Sequence, residues 1–367
     1  MATQLAAEKS VTGLENPMGT DGFEFVEYTA PDIELLRSLF GKMGFPEVAR
    51  HKSKNVTLHK QGDCNFIINA EPGSYAEQYA RDHGPSACAM AFRVKDAKAA
   101  HARALSLGAT DVEVSKADGE LDIPAIEGIG GSRLFFVDRY DEGAGVGGSI
   151  YEVDFDFHPD WQQRMEQADS KLTYIDHLTH NVNRGRMSVW ADFYEKLFNF
   201  REIRYFDIEG KQTGLFSKAM TSPCGKIRIP LNESQDDKSQ IEEFLREYKG
   251  EGIQHIALGT TDIYTAVDIL NGRGIPFQDT PDTYYELLPE RIKGHQESIP
   301  ELEKRRILMD GAPTEGQGLL LQIFSENQLG PVFFEFIQRK GDQGFGEGNF
   351  KALFESIELD QMRRGVL

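Results

Sequence analysis

The stretch AMAFRVKDAKAAHARALSLGA, Ala89–Ala109, has a counterpart in HIALGTTDIYTAVDILNGRGI, His255–Ile275. Each opens with alternating apolar residues, meets an aspartate, and continues at helical spacing to a glycine. Asp96 and Gly108 are as far apart as Asp262 and Gly274. The physical reading is a β-strand, an aspartate that accepts from the free N–H groups of a helix start, an amphipathic helix, and a glycine that ends it.

Two further pairs support the repeat. FEFVEYTAPDIELLRSLFGKMGF (Phe23–Phe45) matches IDHLTHNVNRGRMSVWADFYEKLFNF (Ile175–Phe200), both strand, turn and helix leading to another strand. RLFFVDR (Arg133–Arg139) matches VFFEFIQR (Val332–Arg339). The chain therefore reads as an α+β protein of two related halves, each with two βαβββ-like units. We divide it into an extension, 1–12, a first domain, 13–157, and a second domain, 158–367. The join falls in a polar helical stretch at about residues 156–171.

Aligned by hand, the halves pair His177 with Phe25, His255 with Ala89 and Glu335 with Phe135. At three separate places the second half carries a ligand-type residue where the first carries an apolar one. The scaffold alone does not require those groups. Glu335 lies among Val332, Phe333, Phe334, Phe336 and Ile337, and an unpaired carboxylate in such a run would cost several kcal/mol or take up a proton. A cation would hold it ionised. Two histidines and one carboxylate, each on its own strand, match the facial triad that holds Fe(II) and leaves positions open for substrate and O2.

Each residue has a plainer explanation. A lone strand histidine is ordinarily structural, and Glu335 has Arg339 nearby. The spacings, 78 residues from His177 to His255 and 80 on to Glu335, carry little metal specificity by themselves. His180 lies three residues from His177, so on a strand it points to the opposite face, and the alignment with Phe25 selects His177. His158-Pro159-Asp160 mimics another dioxygenase pattern but sits in the join and reads as structural.

Gln254 precedes His255, and Gln322 interrupts the apolar run LLLQIF; a buried amide needs partners. Gln240, in KSQIEEFL, reads as a surface residue on sequence alone. GDQGFGEGNF (Gly341–Phe350) lacks the strand-to-helix setting and Lys-Ser/Thr pair of a phosphate loop. The helix after it places Phe350, Leu353, Phe354 and Ile357 on one face, with Asn349 as the expected cap, and suits either a lid or a docking helix.

The 367 residues, 40% of them hydrophobic, suffice for about two domains. A formal charge of −19 argues against nucleic acid and anionic membranes as partners. The three cysteines, Cys64, Cys88 and Cys224, are too few and too scattered for a disulfide framework or thiolate zinc site. No apolar h-region opens the sequence, and no run approaches the roughly 18 residues of a membrane helix. A cytoplasmic location is expected.

IDHLTHNV, IPLNE, GIQHIAL, LLLQIFSE, VFFEFIQRKGD and GFGEGNFKALFESIE, in this order, together closely resemble the 4-hydroxyphenylpyruvate dioxygenase family of the bacterial type. The resemblance runs from GLENPMGTDGFEF to the C-terminus. It implies a vicinal-oxygen-chelate fold of four βαβββ modules forming two barrel-like domains, with a C-terminal lid helix and Fe(II) held by His177, His255 and Glu335. By the same likeness Ser217, Asn232, Gln240, Gln254 and Gln322 would line the substrate pocket. Pro230 belongs to this set, and Phe324, Phe333, Phe345 and Phe350 would form an aromatic wall and gate. The implied reaction converts 4-hydroxyphenylpyruvate and O2 to homogentisate and CO2 in tyrosine catabolism, by a homodimer or homotetramer. Three alternatives stay open: a 4-hydroxymandelate synthase, a ring-cleaving extradiol dioxygenase, and a metal-free binding module.

Overall fold

The computed structural model describes residues 13–140, 148–209 and 214–364. The expected extension, 1–12, lies outside them. The first half forms β1 (Phe23–Thr29), α1 (Ile33–Met43), β2 (Glu47–His51), β3 (Val56–Gln61), β4 (Cys64–Asn69), α2 (Tyr75–His83), β5 (Ser86–Arg93), α3 (Ala97–Ser106), β6 (Ala125–Glu127), β7 (Arg133–Val137), α4 (Ile150–Asp154) and β8 (Phe155–Phe157). After α5 (Trp161–Ala168), which buries no residue, the second half begins. It comprises β9 (Leu172–Val182), α6 (Met187–Phe198), β10 (Arg201–Glu209), β11 (Gly214–Thr221), β12 (Arg228–Ser234), α7 (Gln240–Tyr248), β13 (Gly252–Thr260), α8 (Ile263–Gly272), α9 (Asp282–Arg291), α10 (Ile299–Arg305), β14 (Leu308–Gly311), β15 (Leu319–Phe324), β16 (Phe333–Lys340) and α11 (Glu347–Arg364).

The opening pair of segments folds as the sequence requires. Asp96 accepts from Ala99 N at 2.9 Å to start α3, and Asp262 accepts from Thr265 N at 3.1 Å to start α8. The glycines that close these helices, Gly108 and Gly274, are left-handed, with φ of 92° and 80°. Each half is one eight-stranded sheet, ordered β6-β7-β5-β1-β4-β3-β2-β8 and β10-β11-β12-β9-β13-β16-β15-β14. The closing units also match: a one-residue bridge joins Asp111 to Ile126, and another joins Phe277 to Ser325.

Strand register makes the halves equivalent residue by residue. Phe25 lies across from Ala91, and Ala91 from Phe135. In the second half His177 lies across from Ala257, and Ala257 from Glu335. Ala89 faces Glu27 and Arg133, as His255 faces Thr179 and Phe333. The hand pairing of His177, His255 and Glu335 with Phe25, Ala89 and Phe135 therefore stands in three dimensions.

Successive strand residues point to opposite faces. One face of each sheet enters a core that spans both halves, with Tyr28, Met90 and Phe92 from the first and Leu178, Ile256, Phe334 and Phe336 from the second. Phe66 and Phe334 meet across it at 6.3 Å between ring centroids. Burying each such side chain contributes roughly 1.5–3 kcal/mol, so this shared core fixes the backs of the sheets. The other faces are free to line hollows. In the first half that face carries a separate apolar cluster that includes Phe25, Ile67, Ala89, Ala91 and Phe135.

The terminal helix departs from expectation. It begins at Glu347, so Asn349 lies inside it and accepts from Tyr284 Oη at 2.7 Å rather than capping it. Its buried residues include Asn349, Ala352 and Ser356, whereas Phe350 and Ile357 are exposed. The side chain of Phe354 lies outside those described. Small residues win this face because the helix packs closely on α9, where Thr283 Oγ1 donates to Ser356 O at 2.7 Å. Among the described residues no helix is long and apolar enough to cross a membrane.

Candidate metal centre

His177 on β9, His255 on β13 and Glu335 on β16 converge, each offering a ligand atom within 4.8 Å of the others, and all three are buried. His177 Nε2 lies 3.1 Å and His255 Nε2 3.4 Å from Glu335 Oε2. Glu335 Oε1 is buried and, among the described residues, has no hydrogen-bond partner.

Two β-bulges aim the histidines. Between the pairs Ala257–His177 and Leu258–Ile175 the register slips by one, leaving Asp176 as the extra residue. Between Ile253–His180 and His255–Thr179 it slips again, leaving Gln254. An extra residue bends its strand and redirects its side chain. Without the bulges Asp176 and Gln254 would point away from the neighbouring histidines. With them, His177 Nδ1 donates to Asp176 Oδ1 at 2.9 Å, and His255 Nδ1 donates to Gln254 Oε1 at 3.0 Å. Both Nδ1 atoms keep their protons, so Nε2 is the atom each imidazole turns to Glu335, the arrangement usual for metal-bound imidazole.

Asp176 is anchored in turn. Arg339 grips it with two hydrogen bonds of 2.7 Å, and Arg228 stands 3.4 Å away. Burial alone would push its carboxyl up; the Arg339 guanidinium outweighs burial and holds it well below the usual carboxylate range. Arg339 is therefore the partner of Asp176, not of Glu335. For Glu335 burial also pushes up, yet the two imidazoles hold it down to about 2. Burial lowers His255, while His177, against its own burial, is raised by Glu335 and Asp176. The site is thus an ionised carboxylate, partly unpartnered, with two imidazole Nε2 atoms turned to it, and this donor set fits a divalent metal ion taking the place of the proton they share with Glu335.

The remaining strand-borne candidates share this face. Ser217 pairs with Asn232, Pro230 with Ala219, and Asn232 with Asn181, which is in phase with His177. On the other side Phe324 lies across from Glu335, and Gln322 from Ile337. Phe333 stacks on the His255 ring at 4.9 Å and 21°, and Phe324 meets Phe333 edge-on at 6.1 Å. Phe345 meets His177 edge-on at 5.3 Å. Gly346 follows, with a left-handed φ of 74° that favours glycine, and a Cβ there would lie 2.0 Å from Gln322 Oε1 and displace that amide from the sheet face. Gln240 opens α7 and is exposed, and Phe350 is 39% exposed. Among the described residues no ring contact brings Phe350 to the triad.

Three residues escaped the sequence reading: Asp176, Thr179 and Asn181. Thr179 Oγ1 and both amide atoms of Asn181 are buried and, among the described residues, unpartnered, as is Gln322 Oε1. Such atoms line a face built for a polar ligand. The signal was the alternation His177, Thr179, Asn181 along one strand. His180, on the opposite face, bonds Tyr194 Oη through Nε2 at 2.7 Å, and His158 bonds Glu47 at 2.9 Å; both are structural.

Curled sheets of βαβββ units, one carrying a buried His-His-Glu triad, define a vicinal-oxygen-chelate protein with a metal-capable centre. The comparisons agree. Residues 14–156 match the family model "Hydroxyphenylpyruvate dioxygenase, HPPD, N-terminal", and 174–288 match that of the glyoxalase/bleomycin resistance protein/dioxygenase superfamily. A 4-hydroxyphenylpyruvate dioxygenase of Pseudomonas aeruginosa is 61% identical, over 96% of this chain and 97% of its own length. A protein named hemolysin VllY, from Vibrio vulnificus, is 62% identical over 96% of this chain and 98% of its own. Among solved structures, a triple mutant of 4-hydroxymandelate synthase from Streptomyces coelicolor superposes with a TM-score of 0.77 at 25% identity, covering 94% of this chain and 100% of that one. The chain belongs to the hydroxyphenylpyruvate dioxygenase family.

Proposed function

We propose that the protein is an Fe(II)-dependent dioxygenase that converts 4-hydroxyphenylpyruvate and O2 to homogentisate and CO2, a step of tyrosine catabolism. The relatives named for this substrate support the reading. The observation that carries it is the convergence of His177, His255 and Glu335 on a face also lined by unpartnered amides. Homogentisate and CO2 account for every atom of the oxo acid and O2, so no second oxo acid is needed.

His177, His255 and Glu335 would hold the iron, which when bound supplies chelation of the 2-oxo acid and activation of O2. Asp176 and Gln254 keep the imidazoles in the tautomer and orientation that ligation requires. We assign Asn181, Ser217, Asn232 and Gln322 to the polar groups of the substrate, which their amide and hydroxyl atoms can orient. Pro230 shapes the strand that carries Asn232. Phe324, Phe333 and Phe345 flank the triad and would hold the ring and exclude water. Gln240 and Phe350, both exposed, belong in this reading to the rim. The free thiols of Cys64, Cys88 and Cys224 support a reducing, cytoplasmic setting.

Oxygen uptake with 4-hydroxyphenylpyruvate, with and without Fe(II), tests the reading when the product is identified by chromatography. Iron-dependent uptake with homogentisate and CO2 is expected. A 4-hydroxymandelate peak, or cleavage of catechols without CO2 release, would overturn it.

A further inference from the structure

The first half has a hollow of its own. A cavity of about 570 Å³ lies on the inner face of the first sheet, lined by Phe25 and Phe135, the counterparts of His177 and Glu335. Small-molecule sites occupy roughly 300–1,000 Å³, so the hollow is of ligand size. Strand-borne Val56 and Ile67 line it, and Val114 and Leu121 close it from the irregular segment 112–124. Irregular segments of this length are uncommon in a compact domain and are usually functional loops or linkers.

Two buried carboxyl groups face this cavity; Asp154 accepts from Leu121 N at 3.1 Å, which leaves Glu27. Glu27 lines it, is 5% exposed, and occupies the position that Thr179 holds in the second half. Its neutral partners gather on one oxygen: Asn69 Nδ2 and Tyr75 Oη donate to Oε1 at 2.7 and 3.1 Å. Among the described residues nothing bonds Oε2, and no lysine, arginine or histidine nitrogen comes within ion-pair distance of the carboxylate. The cations of the wall are committed elsewhere. Lys54 Nζ pairs with Glu120 at 2.7 Å, and Arg133 stacks on Tyr75 at 3.6 Å and donates to Glu113 O. Glu71, Glu113, Glu120 and Asp154 also line the cavity, so carboxylates outnumber its lysine and arginine.

We propose that this cavity is a second binding site, for a small amine with an aromatic or apolar body whose ammonium group pairs with Glu27. The two halves then solve one problem in two ways. A buried carboxylate needs a positive partner; in the second half a metal ion would provide it, and in the first half the ligand would. Phe25 and Phe135, 5.6 Å apart, offer an aromatic floor for the ligand's body. No atom of the metal triad is involved.

Calorimetric titration of the iron-loaded, full-length protein under anaerobic conditions tests this, with 2-phenylethylamine as the probe and 2-phenylethanol and phenylacetate as its neutral and anionic counterparts. The amine should bind once per chain with a Kd of about 1 mM or tighter, and the alcohol and acid at least about tenfold more weakly. Glu27→Gln should weaken the amine by about tenfold or more, and Val114→Trp should abolish binding by filling the hollow. His177→Ala should leave amine binding unchanged. Thermal unfolding of both cavity variants checks their fold; if Val114→Trp unfolds, the isosteric Glu27→Gln still decides. No binding of the amine, equal binding of the alcohol, full affinity in Glu27→Gln, or loss in His177→Ala would each overturn the proposal.

Discussion

The inner faces of the two sheets are the same surface with different chemistry. Both are centred on an antiparallel pair, β1–β5 and β9–β13, flanked by parallel strands in matching register. Even the two bulges beside the histidines recur: Glu24 and Cys88 are extra residues in the first half where Asp176 and Gln254 are in the second, which adds a third at Thr173. Each bulge acid is held by an arginine, Glu24 by Arg93 at 2.6 Å and Asp176 by Arg339. The bulges therefore belong to the scaffold, and the second half turns them to use by placing a histidine after each. Phe25, Ala89 and Phe135 show that the fold closes without a ligand set. The His-His-Glu triad is an addition to the scaffold, not part of its support.

That comparison breaks most sharply at the triad. Glu335→Ala should reduce iron affinity by more than the roughly 10–100-fold that loss of an outer partner costs, and turnover with it. Phe135→Ala, at the equivalent position, should destabilise the protein by about 3–5 kcal/mol and leave iron binding intact. Metal analysis and denaturant unfolding of the two variants read these outcomes directly.

The bulge acids come next. Asp176→Asn should cost roughly 10–100-fold in iron affinity by loosening His177. Asp176→Ala should in addition destabilise the fold by about 3–5 kcal/mol, because it strands the mostly buried Arg339. Glu24→Gln should leave iron affinity unchanged, as measured by equilibrium dialysis.

Smaller effects belong to the polar lining. Asn181→Ala and Gln322→Ala should each lower kcat/KM by about tenfold, the scale of one lost hydrogen bond of 1–3 kcal/mol, with iron stoichiometry preserved. Their counterparts on the first sheet should not affect turnover.

The smallest expected effect is one of pH. Burial raises the Glu27 carboxyl above its ordinary 4.5, against the lowering influence of Asn69, Tyr75, Arg133 and Lys54. The folded state therefore binds this proton more readily than the unfolded one. Stability contributed by the protonated form is present below about pH 4.5 and is lost as pH rises through the folded value. Glu27→Gln should flatten that part of the stability–pH curve, read by denaturant midpoints.

The repeat, its helix caps and the three triad positions were legible in the sequence because they are local patterns or substitutions between aligned copies. The bulges were not. One extra residue in a strand leaves the pattern of apolar residues almost intact and becomes visible only when the partner strand fixes register. For that reason the sequence could not show that Gln254 Oε1 accepts from His255 Nδ1, and the plainer alternative of Arg339 as a partner for Glu335 could be set aside only once Asp176 was seen to hold it. The polarity of Asn181 was hidden beside two histidines. In α11 the apolar spacing pointed to Phe350 and Ile357, yet close packing on α9 favoured the small face of Ala352 and Ser356.

The central claim is that a divalent iron ion is held by three residues the scaffold does not need. Anaerobic equilibrium dialysis against Fe(II) addresses it most directly, comparing the unaltered chain with His177→Ala, His255→Ala and Glu335→Ala, each verified as folded. One ion bound per chain, lost in all three variants, is the expected result. An unaltered chain that takes up no iron, or a Glu335→Ala variant that keeps it at full affinity, would contradict the account.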